Sequence, residues 1–316
     1  VEFDRTTLVQ FRKWFKDFMT RIICLGMVVK DIVFYVKQIP SAPQKITAES
    51  YEDKFGGMAA TAAAAIAALG GNVEFWGRVG DDEIGRNAIE AFNLRGVSTK
   101  VKKTQNAQSP ISAVIVDGAG ERMLAVYPGR LDLSADWLEL DRLKDVSAVH
   151  ADFRWVEGAK KLFLAAKNLN IPRVLDADVG DIAALKELVP FANHVIFSER
   201  GLALFTAGLE LGEGLRFASQ FTDGVIGVTL GDKGSLFLDN DKIHEFLVPK
   251  IIPIDTNGAG DVFHGAYALA LGRGLTWMDA ARYASAAATL RCSKVGGWQQ
   301  LPTHSEVMHL LGNSSC

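Results

Sequence analysis

Over residues 146–229 the chain alternates short β-branched apolar runs with amphipathic stretches. The strand-like runs are 146–150, 172–176, 194–197 and 225–229, and helical periodicity fills 157–168, 181–189, 199–207 and 212–221 between them. Strands separated by helix-length crossovers pair in parallel, and a parallel sheet needs helices on both faces. That pattern predicts an α/β domain with a mostly parallel central sheet in a three-layer arrangement. The first half fits the same plan: a buried strand over 21–27, an alanine-dominated helix over 57–69, a strand over 73–77 and an amphipathic helix over 82–94. Two β-rich excursions interrupt it, 32–55 and 101–128. The second carries a hairpin signal, with 111–116 and 123–127 flanking the turn Asp-Gly-Ala-Gly-Glu. Separate in sequence, the two can pair into one small sheet. The expected organisation is an N-terminal extension over 1–20, one domain over 21–312 and a short tail over 313–316.

Hydrophobic residues make up 48% of the 316 and charged residues 22%, enough apolar side chain for a large core. A formal net charge of −3 gives no electrostatic reason to expect nucleic acid or an anionic membrane as partner. Cys24, Cys292 and Cys316 show no C-x-x-C spacing, and the six histidines are scattered. Neither a disulfide framework nor a zinc site is expected, and a reducing cytoplasm is the natural setting. No apolar run reaches the ~18 residues that would span a bilayer. Phe11, Trp14, Phe15, Phe18 and Met19 fall at helical spacing among basic residues. The expectation there is a short appended helix, with a membrane-surface or targeting helix as the alternative and Met19 as a candidate start.

The run Asp255-Thr256-Asn257-Gly258-Ala259-Gly260-Asp261 precedes an Ala/Leu-rich helix and follows the strand-like segment Ile251-Ile252-Pro253-Ile254. Glycines at a helix start let backbone N–H groups approach an anion closely, and the helix dipole adds attraction. A carboxylate in the same turn faces whatever carries that anion. This is a layout for phosphoryl transfer: a cradle for negative charge beside a base for the incoming hydroxyl. Taken alone, Gly-x-Gly is also consistent with a tight turn, and Asp261 with an N-terminal helix carboxylate.

The whole run resembles the D-T-x-G-A-G-D signature of the ribokinase-like (PfkB) carbohydrate kinases. The resemblance extends over 21–312 through Gly26 to Asp31, Gly56-Gly57 and the alanine-rich helix, Arg78-Val79-Gly80-Asp81-Asp82, Thr229-Leu230-Gly231-Asp232-Lys233-Gly234 and Lys294-Val295-Gly296-Gly297. It implies a ribokinase-like fold, with the two β excursions as a lid, and ATP and Mg2+ as cofactors. It makes Asp261 the general base and the backbone of Gly258, Ala259 and Gly260 the cradle for the transferring phosphoryl group. It gives substrate binding to Asp31, Gly56, Gly57 and Thr61, and ATP binding to Ser198, Thr229, Gly231 and Gly234. Asp255 would help hold a monovalent cation such as K+. Two positions depart from the pattern. Thr61 stands where the family carries an Asn, and a hydroxyl cannot offer both an amide donor and an amide acceptor. The N-x-x-E motif is reduced to Ser198-Glu199-Arg200-Gly201, leaving Glu199 as the indirect support for Mg2+.

Several local runs are similar to the sulfofructose kinases within that family: 57–61, 151–155, 158–161 and 261–265. By that similarity Lys45 and Arg154 would grip an anionic group on the sugar, Val126 standing where the third contact would be and Arg130 lying four residues on. The expected substrate is a small sugar, with 6-deoxy-6-sulfofructose as the specific reading and fructose, ribose or a keto-deoxy sugar acid as alternatives. A non-catalytic sugar-binding relative is the reading of a different class, against which the intact Gly-Ala-Gly and Asp261 argue. An uncovered edge on the lid sheet predicts a homodimer through it.

Overall fold

The computed structural model describes residues 20–313. The expected helix around Phe11 to Met19, and Cys316, lie outside them.

Nine strands form the main sheet: β1 (Arg21–Gly26), β4 (Asn72–Gly80), β5 (Ser98–Thr104), β8 (Ala148–Asp152), β9 (Arg173–Ala177), β10 (His194–Ser198), β11 (Val225–Thr229), β12 (Ser235–Asp239) and β13 (Lys242–Phe246). Their order is β13-β12-β11-β10-β9-β8-β1-β4-β5. Every pairing from β5 to β11 is parallel, and β12 and β13 add antiparallel. One face carries α1 (Met58–Ala68), α2 (Glu83–Asn93), α7 (Ala259–Gly272), α8 (Trp277–Cys292) and α9 (His304–Asn313). The other carries α3 (Val156–Asn168), α4 (Ile182–Leu188), α5 (Glu199–Phe205) and α6 (Leu211–Ser219). Alanine dominates α1 because α1 is buried between the sheet and α7. A Cβ added at Gly265 of α7 would sit 2.5 Å from the Ala62 carbonyl, so the small residues set how closely the two helices approach.

The alternation over 146–229 appears as expected. Outside the second sheet and its borders, three segments differ from the sequence reading. Residues 251–254 form no strand: Ile252 is 89% exposed, and Pro253 has no N–H for a ladder. The hairpin β12–β13 carried only a weak signal. Its turn rests on Asn240 and Asp241 at φ 45° and 65°, a conformation these short polar side chains tolerate. Helix α9 was also unread.

The second, four-stranded sheet has the order β3-β2-β6-β7, from β2 (Val29–Tyr35), β3 (Ser50–Gly56), β6 (Ile111–Val116) and β7 (Arg122–Tyr127). The two excursions therefore do pair, with β2 and β6 side by side in parallel. The lid begins earlier than expected, at Val29, while residues 101–104 belong to β5 in the main sheet. Asp82 anchors the lid's second root. It caps α2 by accepting from Gly85 N at 2.8 Å, and it also accepts from Ser109 N at 2.7 Å and Ser109 Oγ at 2.6 Å. Asp82→Ala should cost about 1–2 kcal/mol of stability in denaturant titration, the ordinary value of a helix cap; no measurable loss would show that the cap and the root contribute nothing. No helix among the described residues is long and apolar enough to cross a membrane.

Candidate active site

The site lies where ligands of open α/β sheets are bound, outside the carboxyl ends of the parallel strands and under the second sheet. Its centre is the first turn of α7. Gly258 caps that helix at φ 72°, in the left-handed region that favours glycine, and Asp261 sits in the first turn. Surrounding protein pushes the Asp261 carboxyl well above the usual carboxylate range, and Asp176, Asp178 and Asp152 push it the same way.

Two cavities meet at this turn. A cleft of about 540 Å3 runs away from it on one side, lined by Thr229, Gly231, Gly234, Ala259, Gly260 and residues of α8. Three of the four residues expected to bind ATP are therefore together. Ser198 is not among the lining residues. Its hydroxyl caps α5 by accepting from Gly201 N at 3.0 Å, and donates to Asp178 Oδ1 at 2.6 Å. The cleft's far walls, Val248 to Ile251 with Ser285, Ala288, Thr289 and Cys292, were missed because, Lys250 apart, they are apolar or small, and they carry no motif. Ser285 Oγ is buried there without a hydrogen-bond partner among the described residues.

On the other side of the turn a cavity of about 60 Å3 gathers Asp31, Gly56, Gly57, Thr61 and Asp261. Asp31 reaches it from lid strand β2, accepts from Ser112 on β6, and has its carboxyl raised by burial. A Cβ at Gly56 would stand 2.3 Å from Asp31 Oδ2, so any side chain there would displace the Asp31 carboxylate. Gly57, at φ 102°, would place a Cβ 2.4 Å from the Met27 carbonyl. Thr61 does not face the cavity freely: its hydroxyl accepts from Trp298 Nε1 at 3.0 Å. Lys54, Asn257 and Trp298 also line the cavity and were missed. Lys54 had a legible signal, a lysine two residues before Gly56-Gly57 on a strand of alternating exposure.

Asp152, fully buried, holds the walls together. It accepts from Met27 N at 3.1 Å, Ala59 N at 3.2 Å and Arg154 N at 2.9 Å, tying the ends of β1 and β8 to the start of α1. His264, one turn into α7, sits beneath Asp261. Its Nδ1 lies 2.8 Å from the Gly260 carbonyl and 3.3 Å from Asp176 Oδ2, and its Nε2 lies 3.1 Å from the Ile196 carbonyl. It is a packing residue that braces the first turn of α7 from below.

A third cavity, about 480 Å3, opens beyond Met27, whose carbonyl backs Gly57. It is lined by Arg78, Arg130 and Arg154 with Val126 and Pro128 of the lid. No carboxylate among the described residues forms an ion pair with any of the three arginines. Arg78 is 5% exposed, stacks on Trp155 at 4.3 Å, donates to the Asp132 carbonyl and leaves Nε without a partner. Burial pulls its guanidinium down to about 10, still charged at neutral pH. Arg154 stacks on Phe153 at 4.6 Å and donates to the Val179 carbonyl at 3.3 Å. Lys45 does not join them. It is exposed on the connection between β2 and β3 and lines neither cavity, because that connection runs over the surface beyond the strand ends.

Among the described residues no group of three or more metal-ligating side chains forms a cage. The oxygen donors fit Mg2+ in a different way, since Mg2+ is commonly held by one or two carboxylates plus substrate phosphates. Asp178 at the end of β9 and Glu199 at the start of α5 are the candidates.

Comparison with known proteins agrees with this geometry. The family model for pfkB family carbohydrate kinases matches residues 19–304. A ribokinase from Bacillus subtilis is 27% identical over 93% of this chain and all of its own length. A fructokinase from Vibrio alginolyticus is 28% identical over 81% of this chain and 91% of its own. The structure of an Arabidopsis thaliana ribokinase with ribose and ATP superposes with a TM-score of 0.79 at 23% identity, covering 92% of this chain and 98% of that one. With the signature turn, the nucleotide cleft and the lidded cavity on one α/β sheet, the chain belongs to the pfkB family of carbohydrate kinases.

Proposed function

We propose that the chain transfers the γ-phosphoryl group of ATP to a hydroxyl of a small sugar, with Asp261 taking the hydroxyl proton. The carrying observation is the position of one helix turn between two cavities: Asp261 lines the lidded one, while Ala259 and Gly260 line the nucleotide cleft. The sugar oxygen forms its bond to the γ-phosphorus as the bond to the β-phosphate oxygen breaks. That electron pair leaves with ADP, and the proton passes to Asp261. The N-terminal amides of α7 face the charge that develops on the phosphoryl oxygens. Mg2+ carried by ATP would neutralise phosphate charge, with Asp178 and Glu199 as its protein carboxylates. The lid supports Asp31 and Lys54 and shields the site from water.

The three-arginine cavity favours a sugar bearing an anionic group, since guanidinium pairs suit sulfonate, phosphate or carboxylate. The reading is a ketose such as 6-deoxy-6-sulfofructose. Neutral fructose, ribose or a keto-deoxy sugar acid is the second reading, supported by relatives named ribokinase and fructokinase. Unpaired Cys24 and Cys292 fit a reducing cytoplasm. A homodimer through the lid fits the exposed Tyr51, Met123 and Leu124, and sedimentation would read it directly.

The test is ADP release from ATP across a panel of those sugars, with the phosphorylated product identified. Turnover with at least one is expected. Tight sugar binding with no ADP release in the whole panel would return the chain to a non-catalytic sugar binder.

A further inference from the structure

The family resemblance gives Asp255 to a monovalent cation, and the surroundings of its carboxylate do not fit one. Arg291, at the end of α8, already fills the place. Its Nη2 donates to Asp255 Oδ2 at 2.8 Å. Its Nη1 donates to the Lys294 carbonyl at 2.6 Å and approaches the Asp255 carbonyl at 3.5 Å. The Arg291 side chain is 1% exposed and that of Asp255 18%, so the pair is shielded from solvent. The other oxygen, Oδ1, accepts from Asn257 N at 2.9 Å and lies 3.5 Å from Arg122 Nη2 of the lid. Burial works against the Asp255 charge, but Arg291 and the Asn257 amide hold its carboxyl below the usual range. A carboxylate and backbone carbonyls converging on one point are the donors a K+ ion would use. Here they converge on a guanidinium, and a second cation at contact distance would be repelled by it.

We infer that Arg291 is a built-in replacement for the monovalent cation, so that this kinase works without K+ or Na+. Arg291 borders the sugar cavity but is 1% exposed and spends its donors on protein, so it acts as a positioning residue: it ties Asp255, at the head of the catalytic turn, to the loop that carries Gly297 and Trp298 into that cavity. A guanidinium suits the task because its planar fork fixes both partners in direction, which a spherical ion does not.

The inference rests on the kinase reading for its activity arm only. In wild-type protein at constant ionic strength, kcat/KM in choline, sodium and potassium chloride should agree within about twofold, the scatter of screened surface effects. A rise of roughly tenfold or more in potassium would overturn the inference. Arg291→Gln should lose roughly ten- to a hundredfold in kcat/KM in choline, and potassium should restore part of it. A folded variant with full activity in choline, or a loss that potassium does not touch, would each overturn it. Should the Gln variant not fold, Arg291→Lys keeps the charge and should stay indifferent to potassium. A potassium-dependent gain there would count against the inference. The second readout needs no turnover. An ion bound only by the folded protein raises Tm by an amount that grows with the logarithm of its concentration over its Kd, so the wild-type Tm and ADP affinity should be the same in choline and potassium, and a potassium-specific rise in either would overturn the inference. If no sugar supports turnover in any salt, the kinase reading fails, while the Tm comparison still judges Arg291.

Discussion

Asp261→Asn should remove about 10²–10⁴ of the turnover rate while leaving nucleotide binding intact, since a general base contributes that much and the amide keeps the carboxylate's shape. The nucleotide cleft is lined by Ala259 and Gly260 and not by Asp261, so ADP affinity should move little. Stability should move the other way. Burial, then Asp176, Asp178 and Asp152, raise the Asp261 carboxyl in the folded protein. A carboxyl raised on folding contributes stability that is fully present below its unfolded value and is lost as pH rises through its folded value. At neutral pH the ionised Asp261 is therefore a cost to the fold. The Asn variant, which never ionises, should be at least as stable there as the wild type and should lack that decline. The same shift sets the acidic limb of the kcat/KM profile, which should fall above the pH range of an ordinary aspartate. Near-normal turnover by the purified variant would rule Asp261 out as the base; an acidic limb near the ordinary aspartate value would show that the substrate-free site is more open to water than its burial implies.

What the sequence made legible follows from how local the cause was. The parallel sheet could be read from alternation because each strand and crossover helix is specified within its own residues. The turn at 255–261 was legible because glycine spacing and a carboxylate define an anion site without help from elsewhere. The lid was legible as two excursions, but its edges were not. Residues 101–104 continue β5 in the main sheet, and nothing in Val-Lys-Lys-Thr distinguishes a main-sheet edge from a lid strand. Long-range partners were illegible for the same reason. Trp298 reaches Thr61 across 237 residues, and Arg291 reaches Asp255 across 36. Before the chain is folded, Arg291 is one basic residue at a helix end, where arginine is ordinary. Lys45 shows the reverse case. A lysine matched by position to a family contact lies exposed on the β2–β3 connection and lines none of the three cavities, and only a further closing of the lid would bring it to Arg154.

Arg154→Ala should separate charged from neutral sugars, and it is the sharper test of substrate. Arg154, Arg130 and Arg78 line one cavity and none is in an ion pair among the described residues; Asp152 offsets part of the charge of Arg78 and Arg154 from within the core, but an anion entering the cavity still meets three guanidiniums. Losing one charge-assisted contact should cost about 1.5–3 kcal/mol, roughly ten- to more than a hundredfold in kcat/KM for an anionic ketose. Fructose, lacking the anion, should lose far less. If Arg130 and Arg154 grip the same group, their double variant should lose less or more than the product of the single losses, because residues sharing a partner are not additive. Arg78 is unsuitable for truncation: it is packed on Trp155, and removing it would report lost packing along with lost charge. Val126→Asn asks a further question. Val126 is 53% exposed at the cavity rim, so an amide there can reach a bound anion without disturbing the core. It should raise activity toward a sulfonated sugar if that group is the natural ligand, and lower it if the rim is shaped for another. Equal losses for charged and neutral sugars in Arg154→Ala would mean that the cavity does not read charge. The substrate would then be a neutral sugar recognised by Asp31, Lys54 and Asn257 alone, and the three unpaired guanidiniums would need a ligand other than the sugar.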